Sequence, residues 1–159
     1  MGNNRIYLSR ERLVEIENEL KRLTTEGRRK MAEIIAEARS HGDLSENAEY
    51  DAAKEEQAKL EAKISQLQNI LANAEVIDKS KLPKDQVTIL SKVVVKNLKT
   101  NKIFEYTLVS PEESDMNSGK ISYTSPVGQG LMGKKKGEIV KIKAPVGLLE
   151  FEIIDIKID

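Results

Sequence analysis

The sequence HGDLSENAEYD, residues 41–51, lies between two stretches in which apolar residues recur three or four positions apart. The first stretch runs from Leu13 to Ala38, and the second runs from Tyr50 to Ala74. Each pattern predicts a helix with one apolar stripe, and the second pattern keeps a heptad register. Only about five residues connect the two helices, and so short a connection predicts an antiparallel hairpin.

The predicted hairpin has recognisable ends. Ser9 precedes Arg10 and Glu11 and fits an N-cap, and Gly42 fits a left-handed position after the last turn of the first helix. At 1.5 Å per residue, an arm of about 30 residues reaches roughly 45 Å. A plain coiled coil used for dimerisation or as a spacer also fits this periodicity, and that interpretation stays open at this point.

The second half of the chain is predicted to form a β-sheet. Residues 79–85, KSKLPKD, are polar, contain a proline and end the heptads. Apolar and charged residues alternate near the C-terminus, as in half-exposed antiparallel strands, and a short helix ended by Gly133 is expected after Pro126. Short β-branched runs predict strands at residues 87–90, 93–98, 103–109, 121–124, 138–143 and 149–156.

These patterns together predict an α+β fold in three parts. A coiled-coil helical hairpin occupies residues 1–76, a linker occupies residues 77–84, and a small, mainly antiparallel β domain occupies residues 85–159.

Composition restricts the class of protein. The chain has 159 residues with 26 basic and 26 acidic side chains, yet residues 1–78 carry a balance of −4 and residues 79–159 a balance of +4. Because cysteine is absent, disulfide scaffolds, cysteine–zinc sites and thiol nucleophiles are excluded. No signal peptide is evident, and no run approaches the roughly 18 apolar residues of a membrane helix. We therefore expect a cytoplasmic protein without a membrane partner.

Acidic residues concentrate at the turn of the predicted hairpin. Six carboxylates lie between Asp43 and Glu56, against the single cation Lys54. Asp43 and Glu46 are three positions apart and fit a capping box at the start of the second helix. As oxygen ligands at the end of a rigid arm, they also fit an incomplete Mg²⁺ site. Two carboxylates alone hold Mg²⁺ weakly, so a partner has to supply the remaining ligands.

Three separated places in the chain resemble one protein family. Residues 42–50, GDLSENAEY, followed by residues 52–57, AAKEEQ, resemble the tip signature of the bacterial transcript-cleavage factors of the GreA/GreB family. The resemblance continues through residues 73–78, NAEVID, to residues 125–134, SPVGQGLMGK, and so covers nearly the whole chain. The balance of −4 in the first half favours the GreA type, since GreB tends to be more basic along its coiled coil.

The resemblance implies a fold and a function. It implies an FKBP-like C-terminal domain that docks on bacterial RNA polymerase, and a hairpin that enters the secondary channel of the polymerase. There Asp43 and Glu46 would hold a catalytic Mg²⁺ shared with the polymerase, with no metal bound stably by the chain alone. The implied protein is a transcription elongation factor, a monomer and not itself an enzyme, that stimulates cleavage of the backtracked nascent RNA 3′ end and so rescues arrested complexes.

The resemblance also assigns contact residues. Arg39, Asn47, Tyr50 and Lys54 take the places of the family's contacts to RNA or polymerase near the tip. Arg39 and Lys54 also fit ordinary solvated charges, Tyr50 lies on the apolar stripe and fits packing, and Asn47 fits a residue that orients a carboxylate.

Two further positions are assigned in the second half, and one residue is set aside. Ser125 and Pro126 are expected near the polymerase docking contact. His41, the only histidine, fits a partner of the helix dipole and is not assigned to the site.

Two rival functions remain open. An FKBP-like domain also suggests a peptidyl-prolyl isomerase or chaperone module, but the second half has only four aromatic residues, and the chain has no tryptophan to wall such a pocket. An inhibitory, channel-binding homologue would share the architecture, but the family's inhibitors carry a differently arranged acidic tip. Asp43 and Glu46 favour the activating type.

Overall fold

The computed structural model describes residues 5–42 and 47–158. The chain divides into two compact units. The hairpin unit comprises Glu11–Asn73, and the sheet unit comprises Met1–Arg10 together with Ala74–Asp159. These limits differ from the boundaries 1–76, 77–84 and 85–159 expected from the sequence.

The difference arises from a small parallel sheet that was not expected. Strand β1 (Ile6–Leu8) pairs with strand β2 (Ala74–Val76), with Ile6 opposite Ala74. Ile6 and Leu8 are buried, so the segment before the hairpin is part of the sheet unit. Ala74 therefore lies in a strand, and its prediction as the end of the helical stripe is wrong. The expected linker contains a short 3₁₀ turn, Lys79–Lys81.

The hairpin unit consists of two antiparallel helical arms. The first arm comprises α1 (Arg10–Arg22), a π-helical turn (Leu23–Gly27) and α2 (Arg28–Arg39), and the second arm is α3 (Ala48–Ala72). Met31 and Ala38 of α2 and Ala53 of α3 form a buried cluster, against which Tyr50 and Leu60 pack. This packing confirms the predicted hairpin and its apolar stripes.

The π-helical turn was not predicted, and its cause lies in the spacing of the apolar residues. Leu23 and Met31 are eight positions apart, which in a regular α-helix would rotate Met31 about 80° away from Leu23. A π-turn contains an extra residue, so it brings the two side chains back to one face. The hydroxyls of Thr24 and Thr25 donate to the carbonyl oxygens of Leu20 and Lys21, at 2.9 and 2.8 Å, within this irregular turn.

The main sheet of the sheet unit has five strands in the order β5-β4-β3-β7-β6. Strands β4 and β5 are parallel and the other neighbours are antiparallel, so the sheet is mixed. The expected α+β fold, a helical hairpin with a small FKBP-like sheet domain, is confirmed. The strand bounds are β3 Lys92–Asn97, β4 Ile103–Val109, β5 Lys120–Ser122, β6 Ile139–Ala144 and β7 Gly147–Lys157.

A short helix, α4 (Pro126–Leu131), covers one face of this sheet. Leu131 packs in one apolar core with Val95, Leu108, Ile142 and Phe151. Gly133 follows the helix with φ +79°, in agreement with its predicted role as the helix end. The helix thereby holds its N-terminal residues, Ser125 and Pro126, at the edge of the sheet.

The strand expected at residues 87–90 is absent. Val87 exchanges backbone hydrogen bonds with Gly133 and Lys134, but the chain then turns, and Ser91 Oγ accepts the Thr88 amide at 2.9 Å. Leu90 has φ +70°, which a strand does not allow.

Among the described residues, no helix has the length and apolar character needed to cross a membrane.

Candidate functional site

The two arms of the hairpin meet at the acidic turn. Helix α2 ends at Arg39, and Gly42 has φ +114°, a conformation that favours glycine. Helix α3 begins at Ala48. The residues assigned as metal ligands, Asp43 and Glu46, lie outside the described residues.

Asn47 connects the two arms through both ends of its side-chain amide. Its Oδ1 accepts the Tyr50 backbone N–H at 3.0 Å, and its Nδ2 donates to the Ala38 carbonyl oxygen at 2.6 Å. Asn47 is therefore the N-cap of α3, and the capping box that Asp43 and Glu46 would form is not the cap of this helix. Since both polar ends serve the hairpin, Asn47 acts in the structure as a brace between the arms.

Arg39 and Tyr50 also meet across the turn. The Arg39 guanidinium lies 5.8 Å from the centre of the Tyr50 ring, within the range of a cation–π contact. Tyr50 packs at the same time against the buried Met31–Ala38–Ala53 cluster. Two of the four residues assigned as RNA or polymerase contacts, Arg39 and Tyr50, are thus brought together.

His41 forms a pair that sequence reasoning missed. Its Nδ1 lies 2.6 Å from Glu49 Oε2. Because a carboxylate only accepts, the proton of this hydrogen bond is on Nδ1. The signal available in the sequence was positional: His41 and Glu49 lie on opposite sides of a short hairpin turn, where side chains from the two arms can meet.

Lys54 lies one turn further along α3 and is exposed. Its Nζ donates to Gln57 Oε1 at 2.7 Å along the same helix. The acids around it, Asp51, Glu55 and Glu56, are also exposed. Lys54 therefore presents a positive charge within an otherwise acidic helical face.

The described part of the chain contains no complete metal site. Within residues 5–42 and 47–158, no three His, Asp or Glu side chains come together in a way that could hold an ion. Nearby, Glu49 is engaged by His41. The donor chemistry of Asp43 and Glu46, two carboxylates three positions apart in the sequence, fits a hard cation whose other ligands come from elsewhere.

The sheet unit contains a second candidate site, a cavity of about 400 Å³ beside α4. Ser125 and Pro126, the predicted docking residues, line it together with Tyr106, Met116 and Val127. Ser125 is the N-cap of α4: its Oγ accepts the Gly128 amide at 3.0 Å and donates to the Ser122 carbonyl oxygen at 2.7 Å. Its hydroxyl is thus committed to shaping the wall of the cavity.

Tyr106, which lines the cavity, belongs to a group of aromatic rings on the sheet. The rings of Phe104 and Tyr106 are stacked with centres 5.8 Å apart, and Phe104 meets Phe151 edge to face at 6.5 Å. Burial raises the pKa of the Tyr106 hydroxyl, so this group stays a neutral donor at physiological pH. The cavity therefore offers an apolar wall with a few fixed polar groups, as protein-binding and ligand-binding sites do.

Both halves of the chain match models of one protein family. Residues 6–76 match the family model "Transcription elongation factor, N-terminal", and residues 82–158 match "Transcription elongation factor, GreA/GreB, C-term". The chain belongs to the GreA/GreB family of transcription elongation factors.

Relatives named "Transcription elongation factor GreA" are similar over almost their full length. The protein of Amoebophilus asiaticus is 53% identical over 150 residues, covering 94% of this chain and 96% of the relative. The protein of Chlorobaculum tepidum is 53% identical over 155 residues, covering 97% and 98%. Neither the isomerase nor the inhibitor interpretation gains support from these relatives.

One solved structure, of the transcription factor Gfh1, aligns with a TM-score of 0.48 and 25% identity, covering 96% of this chain and 97% of that one. This likeness is too low to bear on the site.

Proposed function

We propose that this chain binds bacterial RNA polymerase and stimulates cleavage of the backtracked 3′ end of the nascent RNA, which rescues arrested elongation complexes. The observation that carries the proposal is the antiparallel hairpin of a GreA/GreB-family chain, whose two arms are braced immediately on either side of Asp43 and Glu46. Helix α3 alone has 25 residues and extends roughly 38 Å, long enough to carry its end into a deep channel.

In this proposal the chain is not an enzyme by itself. Asp43 and Glu46 would hold a Mg²⁺ ion whose remaining ligands belong to the polymerase. A bound Mg²⁺ would supply charge stabilisation and an activated water for phosphodiester hydrolysis. The contribution of the chain is to deliver two carboxylates, to keep them accessible at the end of a stiff arm, and to present Arg39 and Lys54 near the RNA phosphates.

The cavity of the sheet unit is the proposed docking surface for the polymerase. Met116, which lines the cavity, is 76% exposed, so its large apolar side chain is available to a partner protein. Pro126 and Val127 extend this apolar surface along the start of α4. Docking there would hold the chain on the polymerase while the hairpin acts.

Stalled, backtracked polymerase complexes test the catalytic part of the proposal. The parent chain is expected to accelerate 3′ cleavage, and Asp43→Asn and Glu46→Gln are expected to remove that stimulation while still competing with the parent for polymerase. Asp51→Asn and Glu55→Gln are the matched controls, because they neutralise exposed acids on α3 and should remain active. A parent chain without effect on cleavage would exclude the function, and fully active Asp43 and Glu46 variants would exclude the assigned ligands.

A second pair of variants tests docking. Met116→Glu places a charge in the lining of the cavity, and Ile139→Glu places one on an apolar residue of β6 that is 59% exposed and does not line the cavity. Loss of the apolar contact of Met116 is expected to raise the half-saturating concentration of Met116→Glu about tenfold. Equal binding by both variants would contradict the assignment of the cavity.

A further inference from the structure

We propose that Met116 is a site of reversible oxidation, and that its conversion to methionine sulfoxide weakens docking at the cavity beside α4. The inference rests on the docking surface proposed above and adds a means of regulating it. The oxidant is a peroxide, and a methionine sulfoxide reductase restores the thioether.

The sulfur chemistry of the chain is confined to methionine. Cysteine is absent, so no thiol of the chain competes for a peroxide. Among the methionines in the described ranges, Met31 belongs to the buried cluster of the hairpin and is 8% exposed, and Met132 is half-buried against the core of the sheet unit. Met116 is 76% exposed. Because a peroxide has to reach the sulfur atom, Met116 is expected to react first.

A closed turn presents the Met116 side chain. Met116 begins a 3₁₀ turn, Met116–Ser118, and Asp115 and Lys120 on either side of it exchange two backbone hydrogen bonds, at 2.8 and 2.9 Å. The Ser118 hydroxyl donates to Asp115 Oδ2 at 2.8 Å, and Gly119 ends the turn with φ +70°. Hydrogen bonds therefore define the backbone that carries Met116, and the turn presents its side chain at the cavity.

The surroundings of Met116 explain why one oxygen atom matters. Tyr106, Ile121, Pro126 and Val127 line the same cavity with carbon surface. A thioether is apolar, whereas a sulfoxide is polar and holds water through its oxygen. A partner that packs on this lining has to remove that water, and burial of a polar group without a hydrogen-bond partner costs free energy.

The oxidation step balances without a cofactor. With hydrogen peroxide, an S–O bond forms at the Met116 sulfur while the O–O bond of the peroxide breaks. The sulfur loses two electrons, the peroxide gains them, and one water molecule leaves. The reductase later removes the oxygen as water. Since Met116 does not belong to the apolar core of the sheet unit, the fold is expected to survive both steps.

Limited oxidation followed by peptide mass spectrometry tests the site. The chain is treated alone with hydrogen peroxide, which is removed before any polymerase is added. Met116 is expected to gain one oxygen atom well before Met31 or Met132, with an unchanged circular dichroism spectrum. Equal rates at Met116 and Met132 would overturn the inference, and so would a loss of structure on oxidation of Met116.

Binding of the oxidised chain to polymerase tests the consequence. Its half-saturating concentration is expected to rise about tenfold, as burial of one unpaired polar group implies, and to return to the parent value after treatment with the reductase. Met116→Gln places a polar amide near the position of the sulfoxide and should bind weakly without any oxidant. Met116→Leu keeps an apolar side chain without sulfur. Whatever its own affinity, its half-saturating concentration should be the same before and after peroxide.

These variants separate the inference from the docking proposal. If Met116→Glu weakens docking while the oxidised parent chain binds normally, the inference is wrong and the docking surface stands. Sensitivity to peroxide that persists in Met116→Leu would also refute the inference, because another residue would then be responsible. If Met116→Glu binds as well as Ile139→Glu, the docking surface itself is refuted.

Discussion

Asn47 binds Ala38 across the hairpin, with 2.6 Å between the Asn47 Nδ2 and the Ala38 carbonyl oxygen. A carbonyl oxygen in the last turn of a helix has no partner within that helix, and an amide nitrogen in the first turn has none either. Asn47 satisfies one group of each kind: its Nδ2 donates to the Ala38 carbonyl oxygen, and its Oδ1 accepts the Tyr50 amide. The end of one arm and the start of the other are thereby stabilised by a single side chain.

The first prediction concerns this residue. Asn47→Ala removes both hydrogen bonds and is expected to lower the free energy of unfolding of the hairpin by about 1–2 kcal/mol. Asn47→Asp keeps the cap acceptor but removes the donor to Ala38. The stability of this variant should therefore lie between that of Asn47→Ala and that of the parent. Urea unfolding followed by circular dichroism measures both changes. An alanine variant as stable as the parent would show that the brace is not a stabilising contact.

Much of the hairpin followed from the sequence, because a stripe of period three to four needs no tertiary information. The dual role of Asn47 did not, since its second partner lies nine positions earlier and becomes a neighbour only once the arms are antiparallel. The same holds for His41 and Glu49. Pairs across a turn depend on the register of two helices, which the turn itself sets.

In the sheet unit, too, only part of the structure could be predicted from the sequence. The strands from Lys92 onward were predicted within a few residues, because β-branched runs and alternation are local signals. The pairing of Ile6 with Ala74 could not be predicted in this way, since 68 positions separate them and three-residue strands carry little pattern. The cavity beside Ser125 likewise depends on residues from several separate segments.

The second prediction concerns Gly27 in the π-helical turn. Its backbone has the ordinary right-handed helical conformation, and an added Cβ would lie 3.4 Å from Leu60 Cδ1, the end of a flexible side chain. Gly27→Ala should therefore stabilise the hairpin by up to about 1 kcal/mol through helix propensity. Thermal unfolding measures the gain. A destabilised alanine variant would show that the π-turn requires the freedom of glycine.

The third prediction concerns Gly128, a helical glycine in a different environment. An added Cβ there would lie 2.1 Å from the Ser122 carbonyl oxygen, which is backbone and cannot rotate away. Gly128→Ala should therefore destabilise the sheet unit by about 2–3 kcal/mol and shift α4 away from β5. Because Ser125 Oγ caps this helix through the Gly128 amide, the cavity should change as well. Chemical unfolding and polymerase competition measure the two effects, with Gly27→Ala as the matched control.

If Gly128→Ala keeps parent stability, the close approach of α4 to Ser122 does not constrain the fold. If stability falls while polymerase binding stays unchanged, the cavity beside α4 is not the docking surface. The two measurements thus separate packing from function.

The last prediction concerns pH and the ion pair that joins the arms beside the π-helical turn. Arg28 donates to both Glu61 oxygens, at 3.1 and 2.9 Å. These hydrogen bonds hold the pKa of Glu61 below its ordinary value; desolvation opposes them, and the positive charge of Arg28 adds a smaller lowering effect. In the unfolded chain Glu61 regains its ordinary pKa. The stabilisation is therefore present above that ordinary value and is lost as the pH falls through the lowered one.

Glu61→Gln should remove this part of the acid sensitivity of the hairpin. Urea midpoints measured from about pH 7 to about pH 3 should differ between parent and Glu61→Gln at neutral pH and converge in acid. Glu33→Gln is the control, because it removes a carboxylate paired with Arg29 on the same helix and leaves the contact between the arms intact. High salt should reduce the difference at neutral pH, since the pair is exposed. A difference that grows as the pH falls would contradict the lowered pKa of Glu61.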